Sequence, residues 1–532
     1  MTDMRWSGWG VDADRMTLSD EVLGLLRQGL GVTPGAIRSV PVDEIELPES
    51  ALPAAAAEAF AAVVGAEQVR TDRDGRLLHV GGKSTVDMWR RRAGDASDAP
   101  DAVILPGDHD EVLGVLRVAA EHGVAVVPFG GGTSVVGGVE PERGGFEAVV
   151  ALDLRRMNRL VDVDEVSMTA RLEAGLRGPE AERLLAVPGL TLGHFPQSFE
   201  YASIGGFAAT RSAGQASSGY GRFDDLVVAL RVATPAGTLD LGRAPASAAG
   251  PDLRQLFLGS EGALGVITEV TVRVRPAPAE VHDEAWVFTD FAAGADAVRH
   301  LAQSGSLATV TRLSDEAETA VNLAMGAEAG TPSPASGGCL LIIGHEGTPS
   351  QVEAARTATT DVLTALGGRS LGTDAGHGWR AGRYQSPYLR DALLDAGAQV
   401  ETLETATSWS RLDALYAAVR DAITASLTAA GTPPLVLCHL SHAYPTGASL
   451  YFTVAAKAAD DPISQWTAAK RTAGDAIAAQ RATITHHHAV GLDHRAWMEA
   501  EIGSLGLAVL RSVKATVDPA GILNPGKLIP SP

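Results

Sequence analysis

Two cysteines in 532 residues, Cys339 and Cys438, are too few for a disulfide framework, and they form no CxxC. That scarcity fits a reducing compartment. Positive charge is scarce too: 43 Lys and Arg stand against 64 Asp and Glu, a formal net charge of −21. So acidic a chain is not expected to bind nucleic acid nonspecifically, although a local basic pocket for a phosphate stays open. No run reaches the roughly 18 apolar residues of a membrane span. The nearest, ALPAAAAEAFAAVVGA (51–66), contains Glu58 and reads as a soluble helix. The opening MTDMRWSGWGVDADR has no apolar stretch between a basic start and a cleavage site. No signal peptide is therefore expected, and the expected location is cytoplasmic. Internal repeats and sustained heptads are absent. What remains is ordinary for a folded protein, at 45% hydrophobic and 20% charged residues. The length suggests roughly two to four domains, with cores large enough to need no staples.

The first hundred residues read as helical and then loop-like. From Pro100 the texture changes. DAVILP (101–106) is a short apolar strand. Asp108 and Glu111 then make a capping-box pattern, and Val112, Leu116 and Ala119 recur at helical spacing up to Gly123. VAVVPFGGG (124–132) is a second strand, so the stretch predicts a βαβ unit with parallel strands. From 149 the strands crowd together as VVALDL, LVDVDE and MTARLEAG. In GVITEVTVRVRP (265–276), Val266, Val270, Val272 and Val274 take one face and Glu269, Thr271, Arg273 and Arg275 the other. Beyond Pro276, helical stretches such as 408–431 alternate with strands at 338–345 and 450–458, and AEAGTPSPASGG (327–338) reads as a loop. The expected division is a helical segment 1–99, a first domain 100–277, a second 278–480, and a C-terminal segment 481–532 returning to the first.

Three stretches are dense in small residues. PFGGGTSVVGG (128–138) puts consecutive glycines after a strand, where the backbone brings its amides close to a ligand. It is no Walker loop, because no Lys-Ser/Thr follows the last glycine. It is no GxGxxG fingerprint either, because Val135 stands where the third glycine belongs. ASIGGFAATRSAGQASSGYGRFDDLV (202–227) suits a backbone packed around a bulky flat ligand, and LFLGSEGALGVITEV (256–270) puts small residues directly before a strand.

In order and spacing, PFGGGTSV, SIGGFAATRSAG with YGRFDDLV, and GSEGALGVITEVTVRVRP resemble the FAD-binding domain of the vanillyl-alcohol oxidase superfamily. The resemblance implies an α+β architecture: a two-subdomain FAD-binding fold with an α+β cap over the flavin. It implies FAD, its pyrophosphate held by backbone amides of the glycine loop. GGGTS offers no histidine for a tether, so the FAD is expected to be non-covalent. The residues it assigns to the cofactor are Pro128, Gly130, Gly131, Gly132, Thr133 and Ser134 in the loop, and His194, Pro196 and Ser198 before the second block. Ser203, Gly205, Gly206, Ala209, Thr210, Ser212 and Gly214 lie within that block. Glu261, Gly262, Gly265, Val266 and Ile267 belong to the third.

A narrower resemblance runs from about residue 5 to 528. RWSGWG (5–10), GHFPQSFEYASIGG (193–206), TRLSD (311–315), PYLRD (387–391), SLYFT (449–453), THHHAVGLDH (485–494) and VDPAGILNPGKL (517–528) fall in the order of the alkylglycerone-phosphate synthase family. That likeness implies replacement of the acyl chain of acyl-dihydroxyacetone phosphate by a long-chain alcohol, a redox-neutral step of ether-lipid formation. Its substrates are lipid-like small molecules, and it leaves a peripheral membrane contact and a homodimer open. It implies Tyr451 as base, with a nearby positive charge lowering its pKa from ~10 and His487 as neighbour. Arg390 pairs with the leaving carboxylate, Arg312 belongs to the active region, and His486 and His488 complete the histidine triplet. By geometry, adjacent histidines fan apart on strand or helix and no i, i+4 pair occurs, so no metal is expected. Ala489 and Leu492 depart from the family's glycine and lysine, and Phe195 and Gln197 from its acidic pattern. The competing expectation is an FAD-linked dehydrogenase or oxidase of a 2-hydroxy acid such as D-lactate or glycolate.

Overall fold

The computed structural model describes residues 2–33, 39–326 and 337–530. Residues 327–336, most of the AEAGTPSPASGG segment, lie outside the described residues. Strands β1 (Val69–Arg70), β2 (Ala102–Ile104), β3 (Val124–Phe129) and β4 (Ala148–Asp153) make one sheet in the order β1-β2-β4-β3. The helix between β2 and β3, His109–His122, starts at Asp108, whose carboxylate accepts the Glu111 N–H at 2.9 Å, and stops at Gly123 with φ +64°. The reciprocal half of the capping box is out of step by one residue: the Glu111 carboxylate accepts the N–H of Gly107, not of Asp108. β2 and β3 are parallel as expected, but β4 lies between them and pairs with both. The N-terminal segment, read as helical and then loop-like, also supplies β1, which pairs with β2. Its alanine-rich helix, Ala54–Val64, buries Ala56, Phe60 and Val64 in the same core as Val112 and Leu116.

β5 (Leu160–Asp164), β6 (Thr169–Glu173), β7 (Leu190–Thr191), β8 (Val227–Thr234), β9 (Gly237–Leu241), β10 (Val266–Arg273) and β11 (Arg275–Pro276) follow. Five of them form an antiparallel sheet in the order β5-β6-β10-β8-β9, while β7 pairs with β11. The valines of β10 alternate inward as the sequence predicts, with a register shift between Ile267 and Glu269.

β12 (Glu280–Phe288), β13 (Val310–Ser314), β14 (Cys339–Gly347), β15 (Arg369–Gly372), β16 (Ala398–Ser408), β17 (Leu435–Tyr444) and β18 (Gly447–Lys457) make a seven-stranded antiparallel sheet, ordered β15-β12-β14-β13-β17-β18-β16. One face carries Leu440, Leu450, Phe452 and Val454, buried under the helices Leu412–Ala429 and Pro462–Ala479 through Leu415, Val419, Ile423 and Trp466. Period-two alternation turns His439, Tyr451, Thr453 and Ala455 to the other face, where each is half-buried. That face looks toward the small-residue segment 215–222: Gly219 N–H donates to Thr309 O, Ser218 Oγ to Ser441 O and the Gln215 amide to Arg383 O. The chain then returns to the first sheet, where Val126 exchanges backbone bonds with Ile522 and Asn524, both at 2.8 Å. Both cysteines are buried free thiols. Among the described residues no helix is long and apolar enough to cross a membrane.

Candidate active site

The glycine loop is pressed against the segment 201–206 so closely that side chains would not fit. A Cβ on Gly131 would sit 2.0 Å from Tyr201 O, and one on Gly130 2.3 Å from Ser203 Oγ. Gly132 has φ +67°. Among the described residues, none of the N–H groups from Gly130 to Ser134 has an acceptor within the protein. A run of free amides in a side-chain-free cleft is the donor set a pyrophosphate requires, so the residues present fit FAD. Pro128 backs the loop against Gly262, whose φ is +73°. Gly265 abuts Val232, while Val266 and Ile267 are buried on β10. Behind the loop, Ser203 Oγ accepts the Gly206 N–H, Thr210 Oγ1 donates to Gly206 O, and the Gly214 N–H goes to Ser217. Ser198 and Pro196 present their carbonyls to the turn 199–202. His194 is buried between Phe207 and Phe223, bonded to Ser212 at 3.1 Å and with Nδ1 unpartnered. Burial lowers its pKa to about 3, so it is neutral. Glu261 serves as a tie: its carboxylate accepts the N–H groups of Val490 and Gly491, and its carbonyl the Asn524 amide.

Facing this cradle, Tyr451 lies between His439 and His487. Its ring is 4.8 Å from that of His439 and 6.0 Å from that of His487, both near-parallel. The expectation of a lowered phenol pKa is overturned. Burial pushes it up to about 12; a bond to Thr402 and the charge of Arg312 offset this only in part, and Glu401 and Glu404 add to the rise. Burial likewise keeps His439 and His487 neutral by lowering their pKa. Arg312 binds Glu318 and His439, each at 2.9 Å. Burial would raise the Glu318 pKa, but Arg312 and His439 hold it below the usual carboxylate range.

The triplet 486–488 occupies an irregular loop fixed by one carboxylate. Glu404, on β16 directly opposite Tyr451, is buried and accepts the backbone N–H of His486, His487 and His488 and the Thr485 hydroxyl, at 2.5 to 3.2 Å. Burial alone would raise its pKa, yet the Thr485 hydroxyl and the three backbone N–H groups it accepts hold it well below the ordinary value. The triplet does not fan apart as adjacent residues on a regular element would. The loop lets His486 Nδ1 approach His487 Nδ1 to 3.1 Å, and His442 of β17 joins them, one ring nitrogen from each of the three lying within 4.8 Å of the others. The rings converge, contrary to expectation, because the backbone here is neither strand nor helix. His486 Nε2 meets Tyr444 Oη at 2.7 Å, and the Arg222 guanidinium donates to His486 O. Burial lowers the pKa of His486 and of His488 to about 3.

Arg390 is not free to meet a substrate carboxylate in this state. Its guanidinium binds Asp391 at 2.9 and 3.2 Å and the carbonyl of Lys83. Asp391 also accepts Arg5 and the Trp9 N–H, so PYLRD and RWSGWG are two halves of one contact. Leu492, at the missing lysine, packs on Gly137, and Gln197 buries an unpartnered Nε2.

Sequence reasoning missed Glu404, His439, His442 and Tyr444. CHLSHAY (438–444) carried a signal, a strand with polar residues set into an apolar alternation. Glu404 carried less, since the two glutamates of ETLETATS, Glu401 and Glu404, look like exposed strand positions.

Residues 100–241 match the FAD binding domain family, and 277–528 the family of FAD linked oxidases, C-terminal domain. The alkyldihydroxyacetonephosphate synthase of Dictyostelium discoideum is 35% identical, over 87% of this chain and 79% of its own length. That of Trypanosoma brucei brucei is 32% identical, over 100% and 93%. A mitochondrial D-lactate dehydrogenase [cytochrome] of Arabidopsis thaliana is 30% identical over 87% and 78%. A solved alkyldihydroxyacetonephosphate synthase superposes with a TM-score of 0.84 at 30% identity, covering 99% of both chains. The 4-ethylphenol oxidase of Gulosibacter chungangensis, at TM-score 0.70 and 18% identity over 94% and 99%, shares the fold.

Proposed function

The chain belongs to the alkyldihydroxyacetonephosphate synthase family of FAD-linked enzymes, and from that premise we infer that it exchanges the acyl chain of acyl-dihydroxyacetone phosphate for a long-chain alcohol. The exchange forms an ether bond with no net oxidation. The observation that carries this reading is the neutral row His439–Tyr451–His487 on the open face of the sheet. In the exchange we infer, a proton leaves C1 and returns to it, in place of a direct displacement. Neutral phenol and imidazole groups can accept and give back a proton without a standing buried charge.

FAD, when bound, would supply an electrophilic ring for the exchange, and the free amides of residues 130–134 are the donors that would hold its pyrophosphate. With Tyr451 protonated at rest, we assign the proton acceptor to His487, and to Tyr451 the hydroxyl that orients the substrate and donates. Arg312, held beside Tyr451's neighbour His439 by bonds to Glu318, His439 and Ser314, is the cation we assign to the anionic substrate. Arg390 acts through Asp391 to hold the helix Ser386–Asp395 on residues 5–10. A peripheral membrane contact belongs to the same proposal, with a lipid surface as occupant. Leu505 and Val509 lie exposed four residues apart on the helical stretch after the break at Gly503, with Ile502 exposed just before it, and co-flotation with phospholipid vesicles checks the contact.

The test follows the absorbance of the FAD-loaded enzyme under anaerobic conditions with both substrates. A redox-neutral exchange leaves the oxidised flavin spectrum at the end of turnover. Lasting bleaching would favour the less supported alternative, a 2-hydroxy-acid dehydrogenase.

A further inference from the structure

We propose that His487, His486 and Tyr444 form a proton relay linking the reaction centre to the outer end of the β17–β18 hairpin. The inference rests on the exchange reading and adds to it the path by which the C1 proton leaves and returns. Two hydrogen bonds join the three side chains, Nδ1 to Nδ1 between the histidines at 3.1 Å and His486 Nε2 to Tyr444 Oη at 2.7 Å. Each contact holds one proton, and the chain can be fully bonded with either polarity. In one, Tyr444 donates to His486 Nε2 and His486 Nδ1–H donates to His487 Nδ1. In the other, His487 Nδ1–H donates to His486 Nδ1, and His486 Nε2–H donates to Tyr444 Oη.

Passing from the second pattern to the first moves one proton outward. His487 Nε2 takes the substrate proton as its Nδ1–H crosses to His486 Nδ1. The Nε2–H of His486 crosses to Tyr444 Oη, and Tyr444 releases its own hydroxyl proton. The reverse sequence returns it, so atoms and charge balance and neither imidazole need stay charged. Tyr444 is half-buried whereas His486 is buried, so the chain runs from a more buried to a less buried side chain. The two histidine backbones are clamped by Glu404, which fixes the 3.1 Å contact through the loop. His442, stacked on His486 at 5.0 Å with Nδ1 unpartnered, is a bystander in this account.

The experiment compares FAD-loaded wild type with Tyr444→Phe, which removes one oxygen from a half-exposed ring, in mixtures of H2O and D2O. The relay predicts a curved dependence of kcat on deuterium fraction in the wild type. In the variant kcat falls about a hundredfold, the lower end of general acid–base effects, with KM and FAD content unchanged and a linear dependence. An active wild type with an equally active, equally curved Tyr444→Phe overturns the relay while leaving the exchange reading intact. Loss of wild-type activity on chelation, restored by zinc alone, also overturns it by assigning the same nitrogens to an ion. A wild type that forms no ether removes the exchange reading and the relay together.

Discussion

Ala489 adopts φ +75°, a backbone conformation that costs a residue with a Cβ of order 1–3 kcal/mol. The sequence places alanine here against the family's glycine, and the turn that brings His487 and His488 under Glu404 continues directly into it. Ala489→Gly should therefore stabilise the protein by about 1 kcal/mol, part of the strain being offset by the greater freedom of glycine when unfolded, as read in the denaturant midpoint. Tyr451→Phe should keep the yellow, FAD-bound protein and lose turnover by 10²-fold or more, of order the acid–base contribution, as read in kcat. Unchanged turnover would remove Tyr451 from the chemistry. That Tyr451 and His487 lie side by side was legible in the sequence, because both stand in ordered motifs. The protonation state of Tyr451 was not, because it is set by burial and by Glu401 and Glu404, which are brought close only by the fold.

Strand and loop act as a pair at the next scale. β16 contributes little to the cap core at Glu404, yet that carboxylate organises the whole triplet loop. Glu404→Gln puts an amide donor where only acceptors fit, leaving at least one backbone N–H unpaired, at about 1–3 kcal/mol. A lower melting temperature and weakened activity in the same variant are the expected readouts, and an unchanged melting temperature would contradict the clamp. The glycine loop makes a parallel case: Gly131→Ala forces a methyl into Tyr201 O, so the variant should fold yet release FAD, seen as colourless protein after desalting. Period-two and capping patterns made β2, β3, β10 and the helix His109–His122 readable in advance. The insertion of β4 between β2 and β3 was not readable, because local periodicity says nothing about strand order.

Across the molecule, burial keeps many histidines neutral. The pKa of His194, His486 and His488 is lowered to about 3, and that of His345 and His494 to about 4. In the unfolded chain these groups titrate near 6.5, so below that pH the unfolded state binds more protons and stability falls as pH falls. Burial raises Glu140 and Glu261 to about 8 and about 7, which opposes the trend, but the histidines outnumber them. Glu404, held low, adds its own loss once pH drops below about 4.5 and toward its folded value. The melting temperature should accordingly decline from about pH 6.5 downward, as calorimetry at constant ionic strength would record; a flat profile between pH 6.5 and 4.5 would contradict this balance. The most direct test of the whole is product analysis. FAD-loaded enzyme is incubated without oxygen or any electron acceptor with palmitoyl-dihydroxyacetone phosphate and hexadecanol, and the mixture is read by mass spectrometry. The account predicts hexadecyl-dihydroxyacetone phosphate and palmitate in equal amounts. No ether, together with flavin bleached by a D-2-hydroxy acid in a parallel reaction, would contradict it.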